Sequence, residues 1–402
     1  MWSELLSILD DYDNVYIYGF AAPGKWLASQ LIHTGKLRYF IDSDSKLSGQ
    51  SFNGLSVKPY DEIYEKLGIT NKNCSSILIN TVFAIQDVWE KADNLNFKKQ
   101  IALGLYLKGH SPNSVLSQSE EFIEYSLKCV SLAHVNYFSE KDLFIRSVDL
   151  MVTERCSMKC KDCSNLMQYF EKPTNYTFEI LKRDIDQLLS NLEHLFEIRL
   201  IGGEPFVHNN IYKIMEYATN LNKISFVNIY TNATIPLKEE QLIGNNINIE
   251  RLVFSITNYG SELSRNLERN INILEKLKIP YTCDSPGGWT DSGRIVHIDR
   301  TEEEVTELFK KCCGKNLLTI SDNKLYRCPF AANADRLSGI PSDPDNYVEL
   351  TEDRSKLEEY TGDIDYIPAC RYCMGRSWDS EEITPAIQTK KSLDYKKFPV
   401  EV

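Results

Sequence analysis

From residue 147 onward the chain alternates between short apolar runs and amphipathic stretches. In order they are "SVDLMVTER", "LKRDIDQLLSNLEHL", "EIRLIGG", "IYKIMEYATNL", "ISFVNIYTNA", "RLVFSITNYG", "LSRNLERNINILEKLK" and "IPYTCDSP". The Val-, Ile- and Phe-rich runs read as buried strands, and the stretches between them repeat apolar residues at helical spacing. In the first such helix Ile185, Leu188, Leu189, Leu192 and Leu195 fall along one stripe. Alternation of this kind narrows the fold to a parallel sheet covered by helices, as a barrel or an open half-barrel. Ligands of such sheets gather at the carboxyl ends of the strands.

A second alternation lies near the amino end: "NVYIYGF" (14–20), the helical "APGKWLASQLIHTG" with Gly35 as its stop, "LRYFIDSD" and "SSILINTVF" (75–83). This order predicts a Rossmann-like parallel unit over 1–110. Gly19-x-Ala21-x-x-Gly24 is a degenerate dinucleotide-binding turn, with Asp42 about where a ribose-binding acid would sit. Gly19-x4-Gly24-Lys25 also grazes a phosphate loop, although Trp26 stands where Ser or Thr is required. A tight turn that binds nothing fits these residues equally well. The polar patch "GHSPNSVLSQSEE" and the mixed helical stretch after it place a linker at 111–146.

A length of 402 residues calls for two or three domains. The net charge of −12 argues against sequence-independent nucleic-acid binding. No apolar stretch is long enough to span a bilayer, and the acidic start "MWSELLSILDDYDN" does not read as a signal peptide. A cytoplasmic location is expected, where eleven cysteines point to metal binding or catalysis before disulfides.

Three of those cysteines, Cys156, Cys160 and Cys163, follow the first strand of the long alternation as C-x3-C-x2-C. The next strand ends in Gly202-Gly203-Glu204-Pro205. The glycines would allow backbone to approach a ligand closely, and Glu204 offers an acceptor for an ammonium group. Three thiols leave a tetrahedral set one ligand short. Zinc with a distant fourth ligand would fit that count, but both motifs would then sit at successive strand ends by accident.

In these residues the chain resembles the radical S-adenosylmethionine (radical SAM) family. The resemblance, over roughly 147–373, implies a [4Fe–4S] cluster held through three irons by Cys156, Cys160 and Cys163, and a partial (β/α)6 barrel over 147–305. S-adenosylmethionine would chelate the fourth iron, and its reductive cleavage would give a 5′-deoxyadenosyl radical that takes a substrate hydrogen. An electron donor such as flavodoxin or ferredoxin is implied as partner. The family pattern assigns Gly202, Gly203, Glu204 and Pro205 to the cosubstrate, with Glu204 and the Gly203 backbone on its ammonium. Ser255 and Asn258 fall where ribose contacts lie, and Thr231 and Asn232 are further candidates. One departure is Asp162, where the family usually has an aromatic residue.

Cys313, Cys328, Cys370 and Cys373 form a separate set, C-x14-C-x41-C-x2-C, suited to zinc or to a fully ligated cluster. Beside a radical SAM barrel the set resembles a twitch domain, a short relative of the SPASM extension. This places an auxiliary [4Fe–4S] cluster in 306–380, so two clusters in all, with 381–402 as a peripheral tail. Cys313 is the assigned ligand and the adjacent Cys312 the alternative. A hairpin is expected to turn at Asp322-Asn323, Asn323 standing where a glycine is usual. Cys283, at the end of a late strand, is a candidate hydrogen donor or a core cysteine. His208 reads as a surface residue at a helix start, and Cys74 and Cys129 as buried thiols.

If the second cluster accepts an electron from the substrate radical, the reaction is dehydrogenation, such as alcohol to ketone on a sugar or aminocyclitol. If Cys283 returns hydrogen, it is epimerisation. The amino-terminal stretch resembles Rossmann-like domains of sugar-modifying proteins, which favours a carbohydrate. The rival readings are modification of a ribosomally made peptide and a non-catalytic metal-binding or nucleotide-sensing protein.

Overall fold

Both alternations become parallel sheets in the computed structural model, which describes residues 2–66, 75–79, 85–95, 97–107, 119–139, 143–377 and 380–396. The chain divides into two units, Met1–Asp142 and Leu143–Val402. The first runs α1 (Trp2–Asp10), β1 (Asn14–Tyr18), α2 (Ala22–Leu31), β2 (Leu37–Asp42), β3 (Ser51–Phe52), β4 (Leu55–Pro59), α3 (Tyr60–Lys66), β5 (Ser75–Ile79), α4 (Ile85–Asn94), β6 (Lys99–Ala102) and α5 (Glu120–Tyr137). Its strand order is β3-β4-β2-β1-β5-β6, and every pairing but β3/β4 is parallel. Gly35 adopts φ +68 where the helical segment stops, the left-handed conformation that its place demands.

Two expectations for this unit change. Helix α5 is capped by the Ser119 hydroxyl, and its Ile123, Leu127 and Val130 join the core that holds Trp26 and Leu27. Most of the described part of 111–146 is therefore packed helix and not linker. The Asp42 carboxylate accepts hydrogen bonds from Phe20 N and Asp44 N, both at 2.9 Å. It fastens its own loop, so the place expected for a ribose-binding acid already serves the backbone. Cys74 and the end of the run 75–83 lie outside the described residues.

The second unit runs β7 (Phe144–Thr153), α6 (Phe178–Ser190), β8 (His194–Gly202), α7 (Ile211–Thr219), β9 (Ile224–Thr231), α8 (Glu239–Gly244), β10 (Leu252–Thr257), α9 (Leu267–Leu277) and β11 (Tyr281–Asp284). Then come α10 (Glu302–Lys311), β12 (Thr319–Ser321), β13 (Lys324–Tyr326), α11 (Pro329–Arg336), β14 (Tyr347–Glu349) and α12 (Arg354–Thr361). One sheet carries all eight strands in the order β11-β10-β9-β8-β7-β12-β13-β14. Strands β7 to β11 are parallel in sequence order, and β12 adds a sixth parallel strand on the outer side of β7. The cysteine-rich segment is thus hydrogen-bonded into the barrel sheet. Its hairpin turns at Asp322 (φ +51) and Asn323 (φ +64), the double left-handed turn that suits strand twist.

Helix α6 ends at Ser190, so Leu195 leaves the helical stripe and enters β8 instead. Along the parallel strands Val148, Leu150, Ile198, Leu200, Val227, Ile229, Phe254 and Ile256 join the main apolar core. The alternate residues form a polar face. Ser147 Oγ donates to Glu197 Oε1 (3.1 Å), Asn228 Nδ2 to Glu197 Oε2 (3.2 Å) and Ser255 Oγ to Asn228 Oδ1 (3.1 Å). Arg199 Nε lies 2.5 Å from Asp149 Oδ1. Ser147, Glu197, Asn228 and Ser255 find hydrogen-bond partners on neighbouring strands, whereas Asp149 Oδ1 and Arg199 Nε face each other only as an ion pair.

Phe254 is fully buried, and its ring stacks on Phe206 just past the GGEP turn, with centroids 6.2 Å apart. Phe254→Ala is predicted to cost about 3–5 kcal/mol, read as a lower urea midpoint for the second unit.

Candidate metal and cosubstrate site

Strands β7, β8 and β9 are neighbours, so their carboxyl ends at Thr153, Gly202 and Thr231 lie side by side. The chain leaves β7 into the loop that carries Cys156, Cys160 and Cys163. A side chain at Gly202, which sits at φ +147, would put its first carbon 2.1 Å from the Thr153 carbonyl oxygen. At Gly203 the same atom would fall 2.1 Å from Arg155 O. The close approach that these glycines permit is therefore to the stretch entering the cysteine loop. Gly203 N donates to Thr153 O (3.0 Å) and Glu204 N to Arg155 O (2.9 Å).

Glu204 is 0% exposed. Its carboxylate accepts from Phe206 N at 3.2 Å, Thr231 Oγ1 at 2.8 Å and Asn232 N at 2.8 Å. Burial pushes its pKa up to about 7, against the pull of those three donors. Three of its acceptor positions are taken within the chain, leaving little side-chain capacity for an ammonium group. Pro205 opens the short turn Pro205–Val207 that follows. Thr231 and Asn232 are both brought to the site, and Asn232 Nδ2 lies 3.8 Å from Cys156 Sγ and 3.3 Å from Ser157 Oγ. Ser255 sits on the polar face of β10, bonded to Asn228. Asn258 is held at the end of β10 by Asp284 O, which accepts its N–H at 2.8 Å, and by Gly260 N, which donates to its Oδ1 at 2.9 Å.

Burial raises the pKa of all three thiols, Cys160 to about 11. Such thiols ionise readily only with a cation beside them, so the donor set fits a bound metal group. Sequence reasoning missed Tyr259. Burial raises its hydroxyl, and the nearby Cys160, Cys163 and Cys156 raise it further, while its ring meets Trp289 at 6.3 Å. An aromatic residue directly beyond a strand end was the available signal. Beside Asp162, the departure from the family pattern, backbone fills the edge. A side chain at Gly293 would meet the Asp162 carbonyl carbon at 2.7 Å.

In the second set, Cys312 follows α10, Cys328 immediately precedes α11, and Cys370 and Cys373 belong to the turn around Pro368–Tyr372 and its end. Burial is the main cause that raises Cys370 to about 12, Cys373 to about 11 and Cys328 further. Each is raised additionally by Cys312, and none by Cys313. Of the adjacent pair, Cys312, the alternative, is the thiol whose charge reaches all three, which favours it over Cys313. The backbone is extended at Cys312, so successive side chains point opposite ways, and Cys313 is tied to Arg376 O through its N–H at 2.7 Å.

Three further expectations are revised. Cys283 pairs in register with Ile256, which packs in the apolar core, whereas Thr282 pairs with Ser255 of the polar face. Cys283 is exposed on an edge strand, away from that polar face. His208 is buried, receiving Asn210 N on Nδ1 (3.0 Å) and contacting Tyr176 O through Nε2 (2.7 Å), so it fastens a turn. The segment from 381 is no loose tail: Lys161 N donates to Ile387 O and Thr389 N to Lys159 O, directly on the cysteine loop. Cys129 is buried as expected.

Residues 146–279 match the family profile described as a 4Fe-4S single cluster domain. Curated relatives include the GTP 3',8-cyclase of Limosilactobacillus fermentum, 27% identical over 133 residues, which are 32% of this chain and 39% of that protein. The GTP 3',8-cyclase of Clostridium botulinum (strain Okra / Type B1) is 22% identical over 299 residues, 63% of this chain and 85% of that protein. The chain thus spans about two fifths of the first relative's length and most of the second's. A solved structure of BtrN with AdoMet and 2-DOIA aligns over 55% of this chain and 84% of that one, at 14% identity and a TM-score of 0.39. Among the described residues no helix is long and apolar enough to cross a membrane.

Glu204→Ala strands three donors in a buried place and is predicted to cost about 3 kcal/mol or more, measured by urea unfolding of metal-free protein.

Proposed function

We propose that this chain is a radical SAM enzyme and that it dehydrogenates a polar small molecule, a sugar or aminocyclitol, with the help of a second [4Fe–4S] cluster. The observation that carries the substrate class is the polar face of β7 to β10. Ser147, Asp149, Glu197, Arg199, Asn228 and Ser255 lie there, and Tyr230 is left 40% exposed. Donors and acceptors in such density suit a hydroxyl-rich ligand better than an apolar side chain. The curated relatives act, by name, on GTP. Here Arg199 is already paired with Asp149 and flanked by Glu197, an arrangement that favours a neutral polyol over a triphosphate.

Cys156, Cys160 and Cys163 would hold the first cluster, which with S-adenosylmethionine supplies hydrogen-atom abstraction from carbon. Glu204 keeps the ends of β8 and β9 in place beneath it, Asn232 lies against Cys156, and Tyr259 with Trp289 walls the neighbouring strand end. Removal of one hydrogen atom leaves a substrate radical that must still lose one electron and one proton to become the oxidised product. Cys312, Cys328, Cys370 and Cys373 would hold the acceptor of that electron. A closed set of four thiols takes zinc or a fully ligated cluster, and only the cluster can accept the electron that this reaction releases. The exposed position of Cys283 favours oxidation over epimerisation. A flavodoxin or ferredoxin in the cytoplasm would deliver the first electron.

Anaerobic reconstitution with iron and sulfide is expected to give about eight iron per chain, and dithionite with S-adenosylmethionine to release 5′-deoxyadenosine. Colourless protein carrying zinc would overturn the reading. Cys312→Ala should fall to about four iron per chain, while Cys313→Ala keeps about eight.

A further inference from the structure

The segment beyond residue 380 meets the cysteine loop as a short antiparallel ladder. Lys161 N donates to Ile387 O at 2.8 Å, Thr389 N to Lys159 O at 2.7 Å, and Cys160 and Gln388 stand directly opposite each other between them. The Gln388 carboxamide closes the pair at both ends. Its Oε1 accepts Lys159 N at 2.8 Å, and its Nε2 donates to Ala386 O at 2.7 Å and lies 3.3 Å from Cys160 Sγ. Beyond Gln388 the strap is anchored again at Ser392, Leu393 and Tyr395. Lys159 Nζ donates to Ser392 Oγ (3.1 Å), Ser392 Oγ to Phe170 O (3.1 Å), Leu393 N to Gln168 O (2.8 Å) and Tyr395 OH to Leu337 O (2.7 Å). The Tyr395 ring also packs on Tyr169 at 5.3 Å.

We propose that Gln388 is a positioning residue for the first cluster: it locks the loop around Cys160 and donates an N–H···S hydrogen bond that makes that cluster easier to reduce. Reduction adds negative charge that spreads onto the ligating sulfurs, so a donor at a thiolate favours the reduced state. An amide is well suited, because one end grips the loop backbone while the other faces the sulfur. Cys156 meets its own donors nearby, Met158 N at 3.4 Å and Asn232 Nδ2 at 3.8 Å. The donor for Cys160 arrives from 228 residues downstream, so the segment 386–395 completes the sulfur environment of a loop far from it in sequence.

This inference rests on the radical SAM reading, and the two fail differently. If the wild-type chain assembles no cluster whose EPR signal changes on adding S-adenosylmethionine, that reading fails. If it does, a redox titration of that signal in the reconstituted full-length chain tests Gln388. Gln388→Glu keeps an acceptor for Lys159 N but replaces the donor to sulfur with an acceptor. Its midpoint is expected to move to more negative potential, with iron lost to a chelator about tenfold faster. Ser392→Ala loosens the strap away from sulfur and should leave the midpoint where it was. A wild-type midpoint in Gln388→Glu, or an equal shift in Ser392→Ala, overturns the proposal. Gln388→Leu adds a check without added charge, and a midpoint unchanged there counts against it too.

Discussion

The Glu204 carboxylate, sealed from solvent, bonds to Thr231 and Asn232 at the end of β9, while its own backbone N–H reaches Arg155 beyond the end of β7. Three strand ends are thereby drawn to one point. Burying a carboxylate is costly, and three directed donors offset that cost. They can be reached because Gly202 and Gly203 have no side chain to hold the chains apart. The entrance to the cysteine loop is seated by this seam, and Asn232 reaches Cys156 from the same place. A motif that reads as a ligand cradle in sequence is, in the folded chain, first a joint between strands.

The two thiol sets belong to one continuous structure. Strand β12 pairs with β7 through Thr319–Asp149 and Ile320–Leu150, and Tyr176 OH shares a hydrogen bond of 2.8 Å with Ser321 Oγ. Glu154, two residues before Cys156, accepts Arg336 Nε at 3.1 Å, and Arg336 ends the helix that begins just after Cys328. Glu154 is buried, so removing Arg336 would strand its charge and cost more than breaking a surface pair. The two clusters proposed above would need a fixed separation for an electron to pass between them. A rigid sheet provides it better than a tether.

Much of this was legible in the sequence because it depends on local pattern. The parallel strands announced themselves by apolar runs, the turn at Asp322-Asn323 by residues that accept left-handed backbone, and the three-cysteine loop by its spacing. What escaped depended on contacts between distant residues. The helical stretch of α5 was legible, but its place in the core was not, because the polar run before it reads as a linker. The choice between Cys312 and Cys313 turns on where α10 ends, and the orientation of Cys283 on the register of an edge strand. Asp42 and Glu204 were recognised as acids with a task, but their partners are mostly backbone groups, which one-dimensional text does not display. The strap at Gln388 has no sequence signature, since a glutamine in a polar stretch looks like any other.

The pairing of β12 with β7 also bears on how the chain is made. Asp149 waits for Thr319, 170 residues later (319 − 149), before that side of its strand is closed. During synthesis the first barrel strand therefore emerges with an open edge, which stays open until the hairpin at Asp322-Asn323 has left the ribosome. Pairings across such long loops form slowly, and unprotected edges invite association with other nascent chains. The same ladder that unites the thiol sets in the finished protein leaves the first barrel strand half open until late in its birth.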